Sequence, residues 1–201
     1  MVYKVCGMRN AENIREVSAL GIDLMGFIFW PKSSRYVAES PSYLPTDCKR
    51  VGVFVDATLE DIRQHIHDYQ LDIVQLHGHE SPEFAKALKP AMIIKAFNIA
   101  TAEDLAQTIP YEGIVDFFLF DTKAQLPGGS GEQFDWSVLS QYEGTTPFLL
   151  SGGIGPDVAE RIKAFHHERC IGIDLNSRFE LAPALKDVNR LKDFLNALNN
   201  E

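Results

Sequence analysis

No stretch of this chain is apolar for the roughly 20 consecutive residues that a membrane-spanning helix requires. The opening residues, MVYKVCGMRN, lack the charged start and the apolar core of about 7–15 residues that mark a secretory signal; they read as the first strand of the mature fold. Cysteine is scarce. The three present, Cys6, Cys48 and Cys170, are odd in number and widely spaced, which argues against a disulfide framework and against C-x-x-C redox or metal chemistry. A cytoplasmic location is the expectation. Positive charge is also in short supply: 19 Lys and Arg against 28 Asp and Glu give a formal net charge of −9, which argues against nucleic acid or an anionic membrane as partner. A small anionic substrate stays compatible, because local amides and one or two cations dominate the field inside a pocket. No linker, low-complexity tract or composition break divides the chain, so residues 1–201 are expected to form one domain, as a monomer or a homodimer.

What is present is an alternation. Short β-branched or aromatic runs recur at 2–6, 24–29, 50–55, 73–76, 92–96, 117–120, 148–150 and 171–174. Most are apolar throughout, as in a parallel sheet covered on both faces. Helical patterns lie between them. Residues 11–20 follow Asn10 and stop at Gly21, 59–69 follow Thr58, and 82–88 follow Ser81 with Pro82 in the first turn. Residues 102–109 follow Thr101, a short helix is expected near 136–140, 156–166 follow Gly155, and 188–198 close the chain. The second helix is the exception, since Pro41-Ser42-Tyr43-Leu44-Pro45 leaves room for barely one turn. Eight strand–helix units in about 200 residues predict an α/β fold of the closed (β/α)8 (TIM) barrel type, with a short or degenerate second helix. An open doubly wound sheet would carry a glycine-rich dinucleotide loop after its first strand, and Cys6-Gly7-Met8-Arg9 is not one.

In such a barrel the active site lies at the C-terminal ends of the strands. The polar residues placed there are Cys6, the loop 30–36, Asp56, Gln75, His77, Asp121 with Lys123, Ser151-Gly152-Gly153 and 174–177. Strand alternation puts Val2, Lys4 and Cys6 on one face and Tyr3 and Val5 on the other; the lysine requires its face to turn into the polar end of the barrel. Cys6 reads either as a catalytic thiol or as a small buried hydrophobe, and Cys48 and Cys170 carry the second reading. Asp121 shares a face with Phe117 and Leu119. A carboxylate closing an apolar strand meets a low dielectric that raises its pKa and suits it to act as an acid; an N-cap or a salt bridge to Lys123 is the alternative. Gly152 and Gly153 after the seventh strand, with Asn176 and Ser177 after the eighth, sit where loops of this fold form phosphate sites from backbone N–H groups, or they are plain turns. Gly128 and Gly129, in Pro127-Gly128-Gly129-Ser130-Gly131, suggest a lid or ligand-contacting loop. Arg35 is a solvated loop charge or a bidentate anchor for a carboxylate or phosphate. His77 and His79 have no third ligand spaced near them, so no metal site is expected.

Taken together, Lys4-Val5-Cys6-Gly7-Met8, Gly26-Phe27-Ile28-Phe29 with 32–36, Val51-Gly52-Val53-Phe54, Val74-Gln75-Leu76-His77-Gly78, Asp121-Thr122-Lys123, 128–131 with Phe134-Asp135-Trp136, and 150–154 resemble the ordered motifs of the phosphoribosylanthranilate isomerases over nearly the whole chain. The resemblance implies a cofactor-independent isomerase of the aldose–ketose type (an intramolecular oxidoreductase) acting in tryptophan biosynthesis. Its substrate would be N-(5-phosphoribosyl)anthranilate and its reaction an Amadori rearrangement. It also implies Cys6 as general base and Asp121 as general acid, Arg35 on the anthranilate carboxylate, and backbone groups around Gly152-Gly153 and Asn176-Ser177 on the phosphate. Indole-3-glycerol-phosphate synthase shares this barrel and phosphate site, but would carry catalytic lysines on inner strands and an extra N-terminal segment. A non-catalytic sugar-phosphate-binding barrel would leave the pair Cys6 and Asp121 unexplained. One departure stands out: many relatives have a glycine where this chain has Arg178, a residue that then faces the phosphate, Glu180 or another carboxylate.

Overall fold

The computed structural model describes residues 1–122 and 136–199. Eight parallel strands hydrogen-bond in sequence order and close on themselves: β1 (Val2–Val5), β2 (Leu24–Ile28), β3 (Lys49–Phe54), β4 (Ile73–Leu76), β5 (Met92–Ile99), β6 (Phe117–Thr122), β7 (Phe148–Ser151) and β8 (Cys170–Leu175). The barrel shuts where β1 pairs with β8, in a register that sets Lys4 opposite Asp174. The (β/α)8 expectation therefore holds.

Side-chain alternation divides the core in two. Leu24, Val51, Ile73, Ile94, Leu119 and Leu149 form a buried cluster inside the barrel. Their neighbours Met25, Phe27, Val74, Ile93, Phe118, Phe120 and Leu150 belong to a second cluster under the helices. Each strand is apolar on both faces because both faces are covered.

Among the described residues five α-helices pack outside: α1 (Ala11–Ser18), α2 (Leu59–Tyr69), α3 (Pro82–Ala87), α4 (Ala159–Ala164) and α5 (Val188–Asn199). The first three start where side-chain caps predict. Asn10, Thr58 and Ser81 each accept the N–H three residues on, at 3.0, 3.1 and 3.2 Å. The segment expected as a helix at 102–109 winds instead as a 3-10 helix, Ala102–Tyr111; Pro110 has no N–H to close the α-type bond to residue 106. The helix expected at 156–166 splits into a 3-10 turn, Pro156–Val158, followed by α4. The helix near 136–140 is the 3-10 segment Trp136–Gln141.

Between β2 and β3 the second helix has degenerated completely: no helix forms among residues 29–48, and Tyr36 instead bridges to Ile28. Unforeseen is a two-stranded antiparallel hairpin after β8, made of β9 (Glu180–Ala182) and β10 (Leu185–Lys186). The amide of Asn13 in α1 pins it, donating to the Lys186 carbonyl at 2.9 Å and accepting its N–H at 2.7 Å.

Candidate active site

At the C-terminal rim the barrel opens into a cavity of about 710 Å³, the size of a small-molecule site. Cys6, Arg35, Asp121, Gly152, Gly153, Asn176 and Ser177 all line it, with Gln75 and His77 between them. Lys123, Gly128 and Gly129 lie outside the described residues. Asp56 does not join the site. It adopts a left-handed turn at φ 50° and its carboxylate accepts the His79 N–H at 2.6 Å.

Cys6 continues the β1 ladder by one residue, its N–H bonding the Leu175 carbonyl at 2.9 Å. Its side chain turns inward with that of Lys4, as alternation requires. Gly26 on β2 makes the room, since a Cβ there would stand 2.6 Å from the sulfur. Lys4 is wholly buried and pairs with Asp174 at 2.7 Å, and Ser151 donates to the other Asp174 oxygen at 3.0 Å. Burial pushes the Cys6 thiol above its ordinary value, while the Lys4 and Lys186 ammonium groups pull it back. Burial likewise opposes the Lys4 charge, but Asp174 and Cys6 hold Lys4 above the usual lysine value.

Asp121 lies within β6, in register with Asn98 of β5 and Ser151 of β7. Its carboxylate is 4.0 Å from His77 Nε2. The other ring nitrogen of His77 meets the Gln75 amide at 2.9 Å. Burial lowers the His77 pKa against the pull of Asp121, which favours the uncharged imidazole beside the Asp121 carboxylate.

Two backbone turns complete the rim. Gly152 and Gly153 take φ 90° and 66°, a left-handed geometry that glycine adopts without strain. They present main chain to the cavity. Opposite them, Asn176 leads into the 3-10 turn Ser177–Phe179.

Arg35 is no solvated loop charge. Its Nε donates to Glu180 Oε1 at 2.8 Å and its Nη2 to Oε2 at 2.5 Å. Lys186, also wholly buried, donates to Glu180 Oε1 at 2.6 Å and to Asn176 Oδ1 at 2.9 Å. Burial works against the Glu180 charge, yet the hydrogen bonds from Arg35 and Lys186 hold its carboxyl below the usual range. Burial draws Lys186 below the ordinary lysine value, with Glu180 opposing.

The sequence model of the N-(5'phosphoribosyl)anthranilate (PRA) isomerase family matches residues 3–197. The chain belongs to this family. It is 53% identical to the N-(5'-phosphoribosyl)anthranilate isomerase of Parabacteroides distasonis, over 97% of this chain and 92% of that one. It is 49% identical to that of Phocaeicola vulgatus, over 100% and 99%. Among solved structures, phosphoribosyl anthranilate isomerase from Thermotoga maritima superposes with a TM-score of 0.86 at 34% identity, covering 99% of both chains. A phosphoribosyl anthranilate isomerase in complex with reduced 1-(o-carboxyphenylamino)-1-deoxyribulose 5-phosphate superposes at 0.85 with 31% identity, again over 99% of both.

Within the phosphoribosylanthranilate isomerase frame, the departure at Arg178 is benign for the backbone. Position 178 sits in a right-handed 3-10 turn and is not among the residues of positive φ, so it needs no glycine. Nor does Arg178 take Glu180, whose cationic partners are Arg35 and Lys186. It lies across the Gly153 carbonyl, 3.5 Å from its Nε. Sequence reasoning missed three contributors to the site: Gly26 as the space for the thiol, Lys186 as a buried cation, and Glu180 as the partner of Arg35. A lysine at the end of a short hairpin carries no local sign that it is buried; only Gly26 had one, as a glycine inside an apolar strand.

Proposed function

We propose that the protein converts N-(5'-phosphoribosyl)anthranilate to 1-(o-carboxyphenylamino)-1-deoxyribulose 5-phosphate, with Cys6 as general base and Asp121 as general acid. The observation that carries this reading is the convergence of the Cys6 thiol and the Asp121 carboxylate on one cavity whose rim holds Arg35 and two backbone turns. In this mechanism Asp121 protonates the furanose ring oxygen as the bond from C1 to that oxygen breaks, and the anilino nitrogen lone pair forms the Schiff base. Cys6, in the thiolate form that the neighbouring Lys4 and Lys186 ammonium groups favour against burial, then removes the C2 proton. The electrons of that C–H bond form the C1–C2 double bond of an enolamine, and the Schiff-base nitrogen recovers its lone pair. Return of a proton to C1 and loss of one from the C2 hydroxyl yield the ketone. C2 is oxidised as C1 is reduced, so the redox change is internal and calls for no external oxidant or cofactor.

Substrate binding divides along the same lines. The phosphate is held by backbone N–H groups of the turn at Gly152 and Gly153 and of the turn at Asn176 and Ser177. The anthranilate carboxylate meets Arg35. With two guanidinium donors engaged by Glu180, the Nη1 edge of the fork remains for a second carboxylate. Gly128 and Gly129 are assigned to substrate binding. We place the enzyme in the cytoplasm, where reducing conditions suit its three unlinked thiols.

The assay is loss of anthranilate fluorescence on addition of freshly generated phosphoribosylanthranilate. Wild type is expected to turn over. Cys6→Ser and Asp121→Asn are each expected to lose about 10²–10⁴-fold in kcat, the scale of a positioned acid or base. Binding without turnover by wild type, or full turnover by both variants, would sink the proposal.

A further inference from the structure

Arg35 presents a charge problem. Its guanidinium is held side-on by a carboxylate that is itself nearly wholly buried, at 6% side-chain exposure. An arginine so paired is electrically neutral at a distance, and a neutral pair has little reason to draw in a second carboxylate. The structure contains the remedy. Lys186, at 0% side-chain exposure, donates to the same Glu180 oxygen that Arg35 Nε uses. One carboxylate between two cations leaves the cluster with a single positive charge.

That surplus charge has only one way out. Lys186 is enclosed, with Glu180 and the Asn176 side chain as its acceptors. Glu180 is saturated by Arg35, Lys186 and the Ala184 N–H at 3.2 Å. Arg35 is the member that lines the cavity. Its stem is fixed there as well: a Cβ at Gly7, which already takes φ 78°, would lie 2.6 Å from Arg35 Cδ.

We propose that Lys186 is a positioning residue of the carboxylate subsite, neutralising Glu180 from behind so that Arg35 meets the substrate as an uncompensated cation. Glu180 thus fixes where the guanidinium points without cancelling its charge. The inference rests on the reading of Arg35 as the anthranilate anchor.

The test compares two substrates in the intact enzyme: N-(5-phosphoribosyl)anthranilate and N-(5-phosphoribosyl)aniline, which lacks only the carboxylate. The quantity read is the ratio of their kcat/KM values, which cancels any effect of Lys186 on the Cys6 thiol common to both. Lys186→Met is expected to lower the preference for the carboxylate substrate about tenfold, through KM, the scale of removing one nearby charge at the edge of a protein. The double variant Lys186→Met/Glu180→Gln removes both buried charges, leaves Arg35 positive, and keeps an amide oxygen to orient it. It is expected to regain most of the lost preference, which a purely structural role for Lys186 cannot produce. Arg35→Ala sets the floor.

If Arg35→Ala abolishes the preference while Lys186→Met leaves it intact, or if the double variant is no better than Lys186→Met, the inference fails and the reading of Arg35 stands. If Arg35→Ala leaves the preference unchanged, the reading of Arg35 fails and the inference falls with it. Should Lys186→Met not fold, the double variant, free of any unpaired buried charge, decides alone: a preference at the Arg35→Ala floor overturns the inference, and one near wild type upholds it.

Discussion

Gly26 lies directly against the Cys6 thiol: a Cβ at position 26 would stand 2.6 Å from the sulfur and 3.1 Å from the Cys6 Cα. The glycine is on β2, the thiol just past the end of β1, and the two strands are hydrogen-bonded neighbours. A side chain at position 26 would therefore fill the space the Cys6 thiol occupies as it faces the cavity.

Gly26→Ala should accordingly cost activity more than stability. Overpacking of this kind destabilises by about 1–3 kcal/mol, whereas displacing a reacting group by an ångström costs on the order of 10²-fold in rate. Thermal unfolding and steady-state kinetics on the same preparation separate the two. Unchanged kcat in a folded variant would show that the thiol does not occupy this space during turnover.

Lys4 governs the same thiol electrostatically. Burial raises the Cys6 pKa and Lys4 opposes the rise, so Lys4→Met should move it higher still. In a Cys48→Ser/Cys170→Ser background, the pH midpoint of Cys6 alkylation by iodoacetamide should shift to the alkaline side, and kcat at neutral pH should fall. Removing Lys4 also strands the buried Asp174 charge, at a cost of about 3–5 kcal/mol; Lys4→Met/Asp174→Asn avoids that loss but also removes the Asp174 charge that raises the thiol pKa, so the shift is read in the single variant. A midpoint that moves to lower pH in the single variant would contradict the assignment.

A third expectation concerns stability rather than chemistry. Glu112 collects the Tyr142 hydroxyl at 2.7 Å, the Thr145 N–H and hydroxyl at 3.2 and 3.0 Å, and the Thr146 N–H and hydroxyl at 3.1 and 2.7 Å. It thereby ties the end of one 3-10 segment to the turn before β7. Burial opposes its charge, but these hydrogen bonds outweigh burial and hold the carboxyl below its ordinary pKa. A depressed folded pKa adds stability above the unfolded value of about 4.3, and that stability is lost as the pH falls through the folded value. Glu112→Gln should therefore destabilise by about 0.5–1.5 kcal/mol at neutral pH, the scale of hydrogen bonds to a charged group discounted for solvent screening. Denaturant titrations across the acid range should show the gap to wild type closing as the pH drops. A gap that widens toward acid would refute the assignment.

Much of the architecture was legible before any coordinates. Strand alternation placed Lys4 and Cys6 inward together, and Asn10, Thr58 and Ser81 marked helix starts, because a period of two and a cap are properties of neighbouring residues. Pro41 and Pro45 foretold the failure of the second helix, and the order of the strand-end residues pointed to the rim of a barrel. The helix expected at 102–109 winds as the 3-10 segment Ala102–Tyr111 for a reason of the same local kind, since Pro110 withholds one α-type bond from its last turn.

What the chain order could not convey is which distant groups share a charge. Arg35 and Glu180 are separated by 145 positions, and Lys4 and Asp174 by 170. Nothing periodic links them. They meet because β8 closes against β1 and the hairpin of β9 and β10 folds back over the rim. The sequence by itself determined most of the strands, three helix caps, the barrel and the place of Cys6 and Asp121 at strand ends, since each follows from interactions within a few residues. Only the tertiary structure decided that Gly26 makes room for the Cys6 thiol and that Lys186 backs Glu180 and Arg35. Close approach and buried charge pairing are set by how the barrel closes, and no local pattern in the chain encodes that.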